Sequence, residues 1–271
     1  TKEFTMCEKN GVTDITEAVI GYDGMAFAQS KSNGAFDISR KNLALAVAKE
    51  VPSKDGKSLI ANPYKKWSDI DASLPNREIV IYGPPKSSGT RAAFEDMILK
   101  GQTKKMSVYT DIYKKTGNKT YKKYKLIRTD GAYVEAGEND NKIVHTLEKD
   151  RAGFGIFGYS FLAENSDKVQ GATIDGIAPK PAAIASGKYP IARSLFFYTK
   201  NSHASKVPAM DKYVDIMMSE DMISPDGELI EIGLISLPDA ERKALQAYGA
   251  KRTNLTAARL KQNPITANPA K

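Results

Sequence analysis

Cysteine occurs once in the 271 residues, as Cys7, and histidine twice, as His145 and His203. One thiol excludes an internal disulfide, and one thiol with two imidazoles excludes a Cys/His metal cluster. Cys7 is expected to be a bland, partly buried thiol that leaves the redox compartment open. No apolar run reaches the ~18 residues that a membrane-spanning helix needs, so no integral membrane segment is expected. The chain opens on Thr1-Lys2-Glu3-Phe4, with neither an initiator Met nor an apolar signal core, and reads as a processed product or a fragment. A GxSxG elbow is also missing, and neither histidine has a nucleophile in sequence range. Enzymatic turnover and a resident cofactor are therefore not expected.

What the chain does have is ordinary globular composition, 41 % apolar and 27 % charged, with enough length for one large or two medium domains. Its net charge of +8 is unevenly spread. Residues 100–125 hold lysines 100, 104, 105, 114, 115, 119, 122, 123 and 125 against one acid, Asp111, so this window carries the whole excess. Tyr109, Tyr113, Tyr121 and Tyr124 are interleaved with the lysines. Two readings are open: a polyanion-binding surface that neutralises phosphates and stacks bases, or a solvated flank with tyrosines inward and lysines outward. Residues from Asn263 onward read as a loose tail.

Strand patterns fall at 19–28, 78–82, 154–159 and 194–199, rich in β-branched and aromatic residues. Helical patterns fall at 40–49, 91–100, 141–149, 207–219 and 238–248. In the second of these, Phe94, Met97 and Ile98 share a face and Gly101 follows as the expected C-cap. Alternation of the two element types predicts α/β layers, with no internal repeat.

Gly153-Phe-Gly155-Ile-Phe-Gly158 meets the letter of a dinucleotide fingerprint, but its glycines lie inside a strand-like run that follows a helix. A tightly packed strand is the reading that fits. Gly83-Pro-Pro-Lys-Ser-Ser-Gly89-Thr90 fails the Walker A spacing, yet it joins a strand to an amphipathic helix. Backbone N–H groups at such a helix start favour an anion, and Ser87, Ser88 and Thr90 add hydroxyls. Arg91 in the first turn opposes the helix dipole, which makes sense if its fork meets an oxyanion. An ordinary Ser N-cap with a solvated Arg is the equal alternative. In the polar stretch 128–141, Asp130, Glu135 and Glu138 can accept hydrogen bonds, although loop and helix capping is the plainer use.

Five passages resemble the phosphate-binding receptors of phosphate-specific ABC importers. They are Ile20-Gly-Tyr-Asp-Gly-Met-Ala-Phe-Ala28, Tyr82-Gly-Pro-Pro-Lys-Ser-Ser-Gly-Thr-Arg91, Arg128-Thr-Asp-Gly-Ala-Tyr-Val-Glu-Ala-Gly-Glu-Asn-Asp-Asn141, Gly155-Ile-Phe-Gly-Tyr-Ser-Phe161 and Tyr189-Pro-Ile-Ala-Arg-Ser-Leu-Phe-Phe-Tyr198. The similarity runs from about residue 4 to 245. It implies a two-lobed α/β receptor of the type II periplasmic-binding (Venus-flytrap) architecture that captures inorganic phosphate in the periplasm and delivers it to an inner-membrane ABC permease. The family's phosphate-binding Ser-Gly-Thr falls on Ser88, Gly89 and Thr90. Many members place an arginine four residues before that Ser; here the position is Pro84, and Arg91 is the expected substitute. Glu135 is the candidate carboxylate partner for the phosphate proton.

The family's opening strand with Gly-Ser-Ser/Thr and its acidic segment find no match before Thr1. The expectation is a truncated first lobe, formed by residues 1–28 with 191–271, a second lobe at 29–190, and a loose tail at 263–271. With half the site missing, phosphate affinity is expected to be weak. The rival expectation is a polyanion-binding or surface-interaction module on an inactivated receptor scaffold, acting through the Lys-rich window 100–125.

Overall fold

The computed structural model describes residues 2–115 and 125–261. Residues 116–124 of the Lys-rich window, with Lys119, Tyr121, Lys122, Lys123 and Tyr124, and the tail at 263–271 lie outside the described residues. The strands in chain order are β1 (Ile15–Ser30), β2 (Asp37–Ile38), β3 (Glu50–Pro52), β4 (Leu59–Ala61), β5 (Ile81–Gly83), β6 (Tyr133–Glu135), β7 (Phe154–Gly158), β8 (Val169–Gly171), β9 (Thr173–Ile174) and β10 (Ala192–Lys200). Helices alternate with them, giving the mixed α/β fold expected from the sequence. The chain forms two compact units, one of Thr1–Asp23, Pro181–Lys188 and Ala192–Lys271, the other of Gly24–Lys180 and Tyr189–Ile191. The change of unit falls inside β1 at Asp23–Gly24, and Pro181–Lys188 groups with the terminal segments.

In the larger unit, β1 from Met25 onward pairs antiparallel with β7, Met25 opposite Gly158 and Gln29 opposite Phe154. Strand β7 runs parallel to β5, and β5 runs parallel to β6 with Gly83 opposite Glu135. Successive strand side chains point to opposite faces, so both faces of a buried sheet need apolar residues. On one face Phe27 stacks on Phe154 at 4.5 Å between ring centroids, and Trp67 meets Phe154 edge-on at 5.1 Å. The guanidinium of Arg77 lies 4.3 Å from the Phe154 centroid. On the other face Ala26, Ala28 and Phe157 pack against Ile143, Val144 and Leu147 of the helix Asp140–Lys149.

Two of the three glycines at 153, 155 and 158 are explained by close packing. A Cβ on Gly155 would lie 2.6 Å from Ile143 and 2.7 Å from Phe157, and one on Gly153 would lie 2.7 Å from Tyr82. Close approach of the helix to the strand accounts for Gly155, and the Tyr82 ring of the neighbouring strand β5 accounts for Gly153.

The smaller unit sets β10 beside the first part of β1. Ala18 packs with Val214 and Met218, joined by Ile20 and Phe197, against the helix Met210–Met217. Tyr22 is buried; its hydroxyl donates to Glu241 at 2.9 Å, and its backbone bridges Ile235. Arg193 donates to Asp23 through Nε at 3.0 Å.

One expected boundary is overturned. The helix that starts at Gly89 does not stop at Gly101 but runs through Thr103, with Glu95–Lys100 in π-helical geometry. Gly101 has φ −60° and donates to Asp96, five residues back. The wider turn changes the buried face to Phe94, Ile98 and Leu99, leaving Met97 half-buried.

The packing at Gly155 yields a stability test. Gly155→Ala forces its methyl into Ile143 and the Phe157 ring, and overpacking of this kind costs about 1–3 kcal/mol. A urea unfolding curve should show the midpoint falling with an unchanged slope.

Candidate functional site

The parallel pair β5 and β6 ends with Gly83 beside Glu135, so the loops that follow both strands leave from the same sheet end. Ligands of open α/β sheets gather at such carboxyl ends. The two loops are joined directly: Ala136 donates its N–H to Gly83 at 2.9 Å, and Ser87 Oγ donates to Glu138 at 2.6 Å.

Ser88 is the N-cap of the following helix, with an extended backbone (φ −72°, ψ 136°). Its Oγ accepts from the N–H of Thr90 at 3.2 Å and from that of Arg91 at 3.5 Å. As acceptor in both, the hydroxyl keeps its own proton for donation. Gly89, the first helical residue, is exposed, and a Cβ there would meet nothing within 4 Å. Thr90 is half-buried. The structure therefore brings Ser88, Gly89 and Thr90 together at one helix start.

Arg91 points inward. It is 3 % exposed, its Nε donates to Glu95 at 2.7 Å and its Nη1 to the Pro84 carbonyl at 3.1 Å. Nη1 also lies 3.5 Å from Glu135, and the guanidinium carbon sits 4.5 Å from the Tyr133 ring centroid. Tyr133 in turn donates its hydroxyl to the same Pro84 carbonyl at 3.0 Å. Burial pushes this phenol up to about 12, so it stays a neutral donor. Gly83 makes room for it, since a Cβ would lie 2.2 Å from the Tyr133 oxygen.

Glu135 is thus beside Arg91, with its side chain 47 % exposed. Sequence reasoning missed Glu95 and Tyr133. The i, i+4 spacing from Arg91 to Glu95 was the visible signal for one of them; Tyr133 had none.

Asp130 has other partners. Arg128, 2 % exposed, donates to both Asp130 oxygens at 2.7 and 2.5 Å and to the carbonyls of Ala46 and Tyr64. Arg128 and Asp130 line a cavity of about 280 Å³ with Lys49, Glu50, Ala61, Asn62 and Thr129. The hydrogen bonds from Arg128, more than its charge, hold the Asp130 carboxyl well below the usual carboxylate range.

In the Lys-rich window Tyr109 is buried and donates to the Glu50 carbonyl, while Lys100 and Lys125 both bond Asp96. Both histidines are exposed. Among the described residues, no group of His, Cys, Asp or Glu can hold a metal ion, and no helix is long and apolar enough to cross a membrane.

A PBP superfamily domain matches residues 1–221. SphX of Synechococcus elongatus is 26 % identical over 260 residues, which cover 93 % of this chain and 65 % of SphX. The phosphate-binding protein PstS of Staphylococcus haemolyticus is 23 % identical over 244 residues, covering 87 % of this chain and 63 % of that protein. The chain thus spans just under two thirds of the length of each. A possible phosphate binding protein from Planctomyces limnophilus superposes with a TM-score of 0.64 at 24 % identity, covering 93 % of this chain and 77 % of the other. An ABC-type phosphate transport receptor from Vibrio cholerae gives 0.57 at 14 %, covering 83 % and 73 %. Both structural likenesses speak for the fold alone.

Two tests follow from the buried arginines. Arg91→Lys keeps the charge but loses the planar stack and the Nε bond to Glu95, so it should lower stability by about 1–3 kcal/mol in urea unfolding. The sequence left Arg91 open between a solvated side chain and one that meets an oxyanion; the structure turns it inward onto Glu95, Pro84 and Tyr133. For Asp130, the folded carboxyl is depressed relative to the unfolded one. Its stabilisation is complete above about pH 4 and disappears as pH falls through the folded value. Asp130→Asn should therefore destabilise the protein at neutral pH, with the gap to wild type closing only in acid.

Proposed function

The chain belongs to the PBP superfamily, and we propose that within it this protein is a receptor that captures inorganic phosphate in the periplasm and hands it to an inner-membrane ABC permease. The architecture we assign to it is the two-lobed Venus-flytrap type. Its work is binding and not turnover. The names of the PstS relatives and the likeness to phosphate receptor folds support this reading.

The single observation that carries it is the helix start at Ser88, Gly89 and Thr90, placed at the carboxyl end of β5 beside β6. The positive end of the helix dipole favours an oxyanion there, and two hydroxyls flank it. Gly89 has no packing duty: its backbone is ordinary and its missing side chain faces open space. Glycine at such a position suits close approach of a ligand to the backbone.

Taken alone, hydrogen bonds from this one wall contribute about 1 kcal/mol each, or ~1.5–3 where a charge assists. Immobilising the ligand costs an estimated ~4 kcal/mol or more. The remainder corresponds to roughly millimolar affinity. Submicromolar affinity would mean that further donors of this chain join the site.

The reading is tested by titrating phosphate into the 271-residue chain in a calorimeter, beside Gly89→Ala. The substitution should leave thermal stability equal or slightly raised, because Ala loses less entropy on folding than Gly. Phosphate affinity should fall, since the methyl occupies the ligand's approach. No binding at millimolar phosphate, or unchanged affinity in Gly89→Ala, would overturn the site.

A further inference from the structure

We infer that the aromatic face of the larger unit carries a binding site for a small monovalent anion of halide type, with Trp67 Nε1 and Arg77 Nε as its donors. The site is separate from the helix start at Ser88 and does not depend on the phosphate reading. Lys66 bridges Glu78 in antiparallel fashion, and next to this bridge the Trp67 backbone N–H donates to the Arg77 carbonyl at 3.0 Å. Residues opposed in this way start their side chains on one side of the ribbon, about 5 Å apart. Both side chains then reach the same two rings. The Trp67 ring centroid lies 5.4 Å from that of Phe36 and 5.1 Å from that of Phe154. The Arg77 guanidinium carbon lies 5.6 Å and 4.3 Å from the same centroids.

Trp67 is fully buried. Its Nε1 and the Arg77 Nε are both buried, and among the described residues neither finds a hydrogen-bond acceptor. A buried donor left unmatched is costly, the more so on a cation. Arg77 gives one N–H of Nη2 to the Gln29 side-chain oxygen at 2.9 Å, which is a neutral acceptor. Burial works against the Arg77 cation, and the charge of Asp150 works for it. The Asp150 carboxylate, however, accepts from the Tyr82 hydroxyl at 2.8 Å and the Ala152 N–H at 3.0 Å. Two neighbouring donors and a positive charge thus meet among apolar rings. A water could accept from both, but its own protons also need acceptors, and the Gln29 oxygen is already taken by Arg77 and Asn33. A halide only accepts, and it brings the charge that offsets the guanidinium.

Trp67 is the single tryptophan of the chain, so its fluorescence reports on the site. Bromide, a heavy halide that quenches indole on contact, is titrated into the 271-residue chain at fixed ionic strength with gluconate as the balancing anion. Quenching should saturate, with a midpoint on the order of 10 mM for so few contacts, and chloride should compete. Arg77→Gln removes the Nε donor and the charge but keeps an amide for Gln29; its midpoint should rise at least about tenfold. Trp67→Phe keeps an aromatic ring and removes the N–H, and thermal unfolding reads it out. The wild type should melt about 2–4 °C higher in chloride than in gluconate at equal ionic strength, and Trp67→Phe should lose most of that difference. Quenching that is linear and indifferent to chloride, or equal melting in the two salts, overturns the inference. So does an Arg77→Gln variant with the wild-type midpoint, or a Trp67→Phe variant that keeps the full difference.

Discussion

The candidate site is held in shape by one buried cation. Arg91 stacks on Tyr133, bonds the carbonyl of Pro84 and pairs with Glu95, so β6, the loop after β5 and the first turns of the helix are fixed to one another by a single side chain. None of these three contacts is a sheet or helix hydrogen bond. The Tyr133 hydroxyl, the Ser87–Glu138 bond and the Ala136 N–H to the Gly83 carbonyl add to this tie. A cation in the first helical turn works against the dipole when it faces solvent. Turned inward onto an aromatic face and a carboxylate, it becomes a rivet whose polar groups are satisfied.

The sheet supplies the ground for this rivet. Parallel pairing of β5 with β6 puts their carboxyl ends side by side, and Gly83 opposite Glu135 sets which residues begin the two loops. The missing side chain at Gly83 lets the Tyr133 ring reach under the loop toward Pro84. A one-residue slip in this register would reverse the faces of Tyr133 and Glu135 together and separate Arg91 from both. The aromatic cluster of Phe27, Trp67 and Phe154 on one face and the Ile143–Leu147 helix on the other make such a slip costly.

Local features were legible in the sequence. The strand–loop–helix unit around Gly83–Gly89 was clear from turn residues and apolar spacing, and Ser88 as N-cap follows from its hydroxyl at the boundary. Gly155 was correctly placed in a tight strand, with Gly153 just before it, because the preceding helix pattern ruled out a nucleotide loop. The direction of Arg91 was not legible. It depends on Tyr133, which lies far along the chain and reaches Arg91 only through the β5–β6 pairing. Nor was the run of helix through Gly101: a glycine after a periodic stretch signals a stop locally, whereas the π turn and the burial of Leu99 decide otherwise. In the sequence Asp130 reads as an acceptor or cap in a polar loop; its partner Arg128 stands two residues earlier, a spacing that brings side chains together only in a turn.

The arginines that a basic protein offers to an anion are, in this chain, largely committed elsewhere. Arg91, Arg128 and Arg242 are each at most 4 % exposed, and each bonds at least one backbone carbonyl and one carboxylate. They do the same task in three places: satisfying carbonyls where the chain leaves regular structure, with a nearby acid cancelling the buried charge. A buried guanidinium neutralised in this way exerts little long-range pull. Under the reading proposed above, what remains among the described residues to draw an anion to Ser88–Thr90 is the positive end of the helix dipole and the hydroxyls of Ser88 and Thr90. Such a site recognises hydrogen-bond geometry more than charge.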